Sequence, residues 1–450
     1  MSINIAELIE AKKLGELRSE LSSKNPADLA QILEDVETEY LPLIYRILPK
    51  ELAAETFVEM DSEQQEILIK SFSDSELRYV LSELYMDDFV DVIEEMPANV
   101  VKRILSQTSA DTRKIINEIL NYPKDSAGSI MTTEYVDLKK GITVGDAFSR
   151  IRKIGVDKET IYTCYVTDSN RKLQGIVSAK DLMLSESSTP IEDIMETNII
   201  SASTHDDKEY VAKLFDKYDF LALPIVDKEN RLVGIVTVDD AMDIMEEEAT
   251  EDIEKMAAIT PTDKPYLKTG VFETYLKRIP WLLVLMISAT FTGMIISAFE
   301  NALAASVALT AFIPMLMDTG GNSGSQASVT IIRGLALGHI SFKDIFKIIF
   351  KEFKVAVLCG LTLSAANFIK LYFLDILLLN SSVTIPIALV VSVTLFITVI
   401  FAKIVGSSLP LFAKLIGFDP AVMASPFITT IVDALSLFVY FRIATGILHI

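Results

Sequence analysis

The chain has 450 residues, half of them apolar, and its 41 Lys and Arg face 62 Asp and Glu for a formal charge of −21. Residues 271–450 hold 11 basic and 8 acidic side chains, which leaves 30 and 54 for residues 1–270, so +3 stands against −24. That split excludes a single globular domain and requires two solvents, water for the acidic part and lipid for the nearly uncharged one; nucleic acid is also excluded as a partner, because no cluster of Lys and Arg is available for phosphates.

Cys164 and Cys359 lie on opposite sides of the split, which speaks against a disulfide framework. His205, His339 and His449 are too scattered to suggest a zinc site. No phosphate-cradling loop, nucleophile elbow or dinucleotide fingerprint occurs, so an enzyme is not expected. The N-terminal stretch is amphipathic and charged, not an apolar core followed by a cleavage site. No signal peptide is therefore expected, and the N-terminus should stay in the cytoplasm.

Residues 1–125 read as helix after helix, with Leu and Ile recurring at helical spacing and little β signal. Asn25-Pro26, Leu48-Pro49 and Met96-Pro97 each put a proline near a helix start, where its missing donor costs least. An all-α superhelical domain is predicted. On pattern alone, a protein-interaction module is the competing reading.

Residues 126–247 contain a repeat. Leu173-Gln174-Gly175-Ile176-Val177-Ser178 returns as Leu232-Val233-Gly234-Ile235-Val236-Thr237, a spacing of 59 residues between the two glycines. Ser129-Ile130-Met131 and Asp193-Ile194-Met195 mark the two starts. Each unit has short β-branched strands around a turn, at Asp168–Asn170 or Asp227–Asn230, followed by a helix, which predicts a tandem α/β pair.

Residues 248–278 should connect the two halves. Helical spacing brings Asp240, Asp243, Glu247, Glu251 and Glu254 to one face, with Glu248 and Asp252 beside it. Charge runs are ordinarily solvated faces. A like-charged helix leading into a membrane is, however, poised to turn a change in charge screening into movement.

Residues 279–450 predict an all-α membrane domain of five helices. Trp281–Phe299 is free of charge, opens at the single Trp and follows Lys277-Arg278. Asn301–Ile332 is interrupted by Asp318 and by Gly320, Gly321 and Gly324, which predicts a broken second span. The stretches at about 353–374, 383–412 and 421–448 supply three more. Arg333, Lys343, Lys347, Lys351 and Lys354 follow the second span and Lys414 follows the fourth. These loops are expected in the cytoplasm, with the N-terminus inside and the C-terminus outside. Lys370, Lys403 and Arg442 are expected near span ends, where they can snorkel.

A carboxylate inside a span is costly and is by default a functional hypothesis. Asp433 follows Pro426, Thr429 and Thr430 at helical spacings and precedes Ser436 and Tyr440, which predicts a polar stripe along a wet path. An interhelical hydrogen-bond cluster is the competing reading. The glycines near Asp318 allow irregular backbone, tolerated at membrane depth only where it is buried in protein or lines a cavity. Gly320/Gly324 and Gly334/Gly338 equally fit close helix packing, which is favoured for the second pair. Oxygen-only donors point to a hard cation. Magnesium keeps several of its waters, so it needs few direct ligands and one well-placed negative charge.

Pro314-Met315-Leu316-Met317-Asp318-Thr319-Gly320-Gly321-Asn322-Ser323-Gly324-Ser325-Gln326, Asp419-Pro420-Ala421 and Pro426-Phe427-Ile428-Thr429-Thr430-Ile431-Val432-Asp433 resemble the membrane motifs of MgtE-type magnesium channels. The resemblance covers essentially the whole chain: a helical N domain, paired cystathionine-β-synthase (CBS) domains, a connecting helix and five spans. It implies a homodimer in the bilayer with its pore at the subunit interface, where Asp433, with Thr430, Asp318 and Asn322, holds hydrated Mg2+. One departure is Ser425, a position where some relatives carry Asn.

The resemblance further makes the acidic helix a gating plug and the cytoplasmic carboxylates Mg2+ sensors. The matching positions are Glu55, Asp88 and Asp91 in the N domain, Asp207, Glu209, Asp219 and Asp240 in the CBS pair, and Asp243, Glu248, Glu251 and Asp252 on the plug. Ions bridging domains would be retained only in a compact, closed arrangement. Some CBS pairs bind adenosyl ligands such as ATP through a Ser/Thr-x-x-Asp segment, here Ser178/Asp181 or Thr237/Asp240, and many bind none. Lys180, Asp181 and Phe220 are the matching nucleotide positions. The expected function is Mg2+-gated Mg2+ import across a plasma membrane. Two alternatives stay open, import of Co2+ or Mn2+ and a membrane-tethered Mg2+ sensor that transports nothing.

Overall fold

The computed structural model describes residues 5–262, 264, 266–378, 383–423 and 425–449. It divides into two compact units, Met1–Met245 and Glu246–Ile450.

In the first unit, ten short helices run from Ile5–Glu10 to Ala110–Ile119 among the described residues. Prolines set several starts: Pro26 is the first residue of its helix, and Pro49 and Pro97 stand at the N-caps of Lys50–Val58 and Ala98–Gln107. Asp61, Ser73 and Ser109 cap other helices through side-chain oxygens that accept from backbone N–H groups. One apolar core threads the array through Leu33, Ile44, Phe57, Leu68, Phe89 and Ile104, and continues into Met131, Leu223 and Val236 of the following domain. Stacked helix pairs thus share a continuous interior, as expected of a superhelix.

The repeat forms two three-stranded sheets. The first has β1 (Val136–Lys139), β2 (Thr163–Thr167) and β3 (Leu173–Ser178), and the second has β4 (Ala202–Ser203), β5 (Ala222–Val226) and β6 (Leu232–Thr237). In each, the first strand is parallel to the middle one and the last is antiparallel. The segments that mark the two starts are exchanged between the sheets. Thr132 bridges Ile235, Glu196 bridges Ile176, and a Cβ on Gly234 or Gly175 would meet Met131 or Met195 at 2.7 Å. The paired glycines of the sequence repeat are therefore sites of close approach by the opposite repeat. Asp168 and Asp227 close the equivalent turns, each accepting from two backbone N–H groups.

A 19-residue acidic helix, Val238–Met256, leaves the second sheet, and the next long helix begins at Val271. Residues 248–278 thus divide between two helices and the segment joining them.

In the second unit, Val271–Ala298, Phe342–Leu378, Ile385–Leu415 and Pro420–Leu448 are long and apolar enough to cross a membrane. Ile313–Ala336 is a fifth long helix, of 24 residues. It corrects the expected broken span. The irregular backbone lies upstream, in the short helix Glu300–Ala305 and the 3-10 turn Val307–Phe312, and the helix then runs unbroken through Asp318 and all three glycines. The reason is packing: a Cβ on Gly320, Gly321 or Gly324 would crowd Val432, Thr429 or Ile428, and one on Gly406 would overlap the Gly324 carbonyl. These glycines let helices touch.

Gly334 and Gly338 do the reverse of what the pattern predicts. Gly338 (φ 69°) ends the helix and Gly334 faces Ile340 just beyond it, so among the described residues no second helix meets either glycine. Lys403 is another correction. It is 5% exposed within Ile385–Leu415, which continues well beyond it, whereas Lys370 pairs with Asp375 at 3.3 Å and Arg442 lies over Phe438. Ile385–Leu415 is the central helix, with buried residues along most of its length, and Val271–Ala298 has none.

Candidate functional site

Two groups of carboxylates stand out, one in each unit. In the membrane bundle, the glycine contacts set Ile313–Ala336 against Ser425–Leu448: Gly320 meets Val432 and Ser436, Gly321 meets Thr429, and Gly324 meets Ile428. The partners descend as the glycines ascend, so the helices are antiparallel, and Asp318 and Asp433 fall at the same level. Asp318 is close enough for its charge to act on Asp433. Neither has a hydrogen-bond or cation partner among the described residues. Asp433 is half-buried, and Asp318 and Asn322, one turn apart, are exposed within this single chain.

Thr429 and Thr430 donate their hydroxyl hydrogens to the Pro426 carbonyl at 2.9 and 3.0 Å. Their oxygens can then only accept, which suits the outward-pointing hydrogens of an ion's water shell. The predicted stripe divides here. Ser436 is buried and donates to Val432 O (2.6 Å), and Tyr440 is buried and donates to Leu309 O (2.9 Å). For these two residues the hydrogen-bond reading holds.

In the first unit, the helix Met86–Glu95 brings Asp87, Asp88 and Asp91 toward Glu159, Asp239 and Asp240 of the CBS pair. Burial, with Asp240, Asp239 and Glu59 nearby, raises Asp88 to about 7. Burial, with Asp88 and Asp240, raises Glu159 to about 8. Asp240 rises to about 6 through burial, opposed by the Thr237 hydroxyl that donates to it at 2.6 Å. Asp87 is pushed up by burial and then by Asp240. Asp91 rises to about 7 through desolvation and then the charge of Asp88, but it sits at the exposed rim, where water screens its neighbours. Weight therefore rests on Asp88 and Glu159. The buried Glu159 Oε2 has no hydrogen-bond partner among the described residues. Among the described residues no three His, Cys, Asp or Glu converge tightly enough to hold a bare ion. Carboxylates that repel one another at this density suit a hydrated divalent cation bound through its waters.

Of the sequence candidates, Asp88, Asp91 and Asp240 come together in this way. Glu55 is exposed on Lys50–Val58. Asp207 caps Lys208–Tyr218 by accepting from Glu209 N, Glu209 pairs with Lys213, and Asp219 stands at the other end of that helix. Those ends are about 18 Å apart at 1.5 Å per residue, too far for one ion within a chain. Asp243, Glu248, Glu251 and Asp252 follow one another along Val238–Met256. Sequence reasoning missed Asp87 and Glu159. The first was signalled by its acidic neighbour Asp88, whereas nothing local distinguishes Glu159, whose partners come from distant segments.

At the base of the acidic helix, Lys255 pairs with Glu251 and, at 2.7 Å, with Asp419. Burial alone would lower the Lys255 pKa, but these two partners raise it. At the nucleotide candidates, Ser178 caps Ala179–Leu184, accepting from Asp181 N (3.0 Å) and donating to the Asp181 carboxylate (2.5 Å). Lys180 and Asp181 are exposed, and Phe220 stacks on Tyr218.

Long apolar helices that carry two carboxylates at one level, joined in sequence to a superhelical domain and a tandem repeat, define a multi-pass membrane transport protein with a large water-facing part. Residues 313–443 match the family model described as the divalent cation transporter MgtE, residues 24–125 the MgtE intracellular N domain, and residues 127–187 and 191–247 the CBS domain. The magnesium transporter MgtE of Thermus thermophilus is 35% identical over 453 residues, covering 100% of this chain and 99% of its own. That of Bacillus subtilis is 33% identical, covering 99% and 97%. Among solved structures, the cytosolic domain of the Mg2+ channel MgtE in complex with ATP is 34% identical, with a TM-score of 0.52, and covers 54% of this chain and 100% of its own. The soluble part of a magnesium transporter is 30% identical, with a TM-score of 0.50, over 54% and 96%. The chain belongs to the MgtE family of magnesium transporters, a family of transporters and not of enzymes.

Proposed function

We propose that this protein is a homodimeric magnesium channel that imports Mg2+ down its electrochemical gradient across a plasma membrane and is closed by Mg2+ on its cytoplasmic carboxylates. The observation that carries the transport reading is that Asp433 and Asp318 stand at one level of two packed helices, close enough for their charges to interact, with threonine oxygens one turn from Asp433 free only to accept. Asp433, Thr430, Asp318 and Asn322 line the path and hold the ion through its waters. A divalent ion entering a negative-inside cell gains roughly 4.6 kcal/mol per 100 mV, so no coupled energy source is needed. The basic loops support an N-terminus in the cytoplasm and a C-terminus outside. A second copy is supported by the exposed Met183, Leu184 and Met242 of the CBS pair, at 71%, 76% and 62%, an apolar surface that a monomer would leave wet.

Closure follows from linkage. The crowded carboxylates Asp88, Asp91, Asp240 and Glu159 repel when bare, and bound Mg2+ favours the compact state. Glu55, Asp207, Glu209, Asp219 and the plug positions Asp243, Glu248, Glu251 and Asp252 bind further ions at surfaces completed by other domains or by the second copy. The solved relative that holds ATP supports a nucleotide at the CBS pair near Lys180, Asp181 and Phe220. Liposome uptake with Mg2+, Co2+ and Mn2+ in competition tests the ion, and Co2+ flux well above Mg2+ at equal concentration would contradict the choice.

A further inference from the structure

Where Ile313–Ala336 ends and Ile345–Lys370 begins, the second unit has a cleft of about 500 Å³ that the ion pathway does not use. Its charged lining is Arg333, Lys347 and Lys351, with His339, against Asp344 and Glu352. Asp344 is already engaged: it accepts from Ser341 N and Oγ and pairs with Lys347 at 3.0 Å. Arg333 and Lys351 are exposed and have no ion-pair partner among the described residues. Three cations and two carboxylates leave one positive charge. That balance matches the single negative charge of a phosphodiester.

The rest of the cleft is apolar, with Leu337 and Ile340 on its wall. Beside the cations, Phe346, Phe350 and Phe353 form an exposed row on one helix face, 83%, 61% and 42% accessible, and Lys354 lies over Phe350 at 4.2 Å. Aromatic side chains bare of protein next to long basic ones belong at the boundary between acyl chains and headgroups. Basic clefts between membrane helices at that depth suit anionic headgroups. Free phosphate carries more than one charge near neutral pH and has no chains for the apolar wall.

We propose that this cleft binds the phosphodiester of an anionic phospholipid, with Arg333 and Lys351 as its cations. The site shares no residue with the proposed ion path or with the proposed sensor carboxylates. Native mass spectrometry of the full chain in detergent, with phosphatidylglycerol and phosphatidylcholine at equal concentration, tests it. Phosphatidylglycerol should be retained in preference. Arg333→Gln and Lys351→Gln should each weaken its binding about fivefold, Lys351→Arg should keep it, and Lys343→Gln, outside the cleft lining, should leave it unchanged. Equal retention of the two lipids by the wild type, unchanged binding in both Gln variants, or displacement of phosphatidylglycerol by equimolar inorganic phosphate would overturn the assignment.

Discussion

Asp433 is half-buried among apolar helices and has no cation or donor partner among the described residues, so in the proposed channel its charge is left for water and the entering ion to stabilise. Asp433→Asn keeps the shape and removes the charge, and Mg2+ flux should fall at least about tenfold if one carboxylate per chain holds the ion. Unaltered flux in liposomes would sink its role. At the proposed sensor, Asp88 near 7 and Glu159 near 8 exceed ordinary carboxylate values of about 3.9 and 4.3. A raised folded value means that the folded cluster binds protons more tightly than the unfolded chain. Without metal, stability is therefore gained as pH falls through about 8 and lost as pH rises. On the proposed mechanism, Mg2+ must displace those protons. Lowering the pH from 8 to 6 should raise the Mg2+ concentration needed for protection from proteolysis, by about tenfold if the displaced proton is that of Asp88 and by about fiftyfold if it is that of Glu159. A midpoint that ignores pH would exclude this cluster as the sensor. Glu159→Gln should leave the metal-free protein better protected and its response to Mg2+ weaker. Asp433 was legible in the sequence because a lone carboxylate in an apolar run has few structural uses. Glu159 was not, because its environment is assembled from segments distant in sequence.

Among the elements, the glycine-bearing helix departs most from sequence expectation. Gly320, Gly321 and Gly324 were legible as special positions, but sequence offers two uses for such residues, irregular backbone or close contact. Only the neighbours decide. Here Val432, Thr429 and Ile428 occupy the space that side chains would need. The Gly406 contact is the tightest, and Gly406→Ala must push two helices apart, at a cost of about 1–3 kcal/mol. Thermal unfolding in detergent should show the loss, and an unchanged midpoint would contradict the contact. Lys255 offers a gentler test. It is partly exposed, so its pair with Asp419 contributes about 0.2–1 kcal/mol. Lys255→Met should raise proteolysis across 246–255 while leaving the unfolding midpoint of the bundle nearly unchanged.

For the whole molecule, the opening imbalance of −24 against +3 acquires a physical meaning. Part of the acidic excess is drawn into a cluster where burial, and then the charge of neighbouring carboxylates, favours protonation, a repulsion that screening by divalent cations would relieve. The division into superhelix, repeat and membrane bundle was legible because each has its own period: 3.6-residue helices, a 59-residue repeat and uncharged runs. The exchange of start segments between the two sheets was not, because a repeat reveals likeness and not which half each strand joins. If the two parts act as sensor and pore, a single assay reads both. Mg2+ flux should be measured in liposomes carrying the full chain with its acidic part facing a bath at micromolar or about 10 mM Mg2+, a range that brackets weak carboxylate sites, with Asp433→Ala alongside. The proposed mechanism predicts flux at the low concentration, its suppression at the high one and none in the variant. Absence of flux in the wild type, or equal flux in Asp433→Ala, would contradict it.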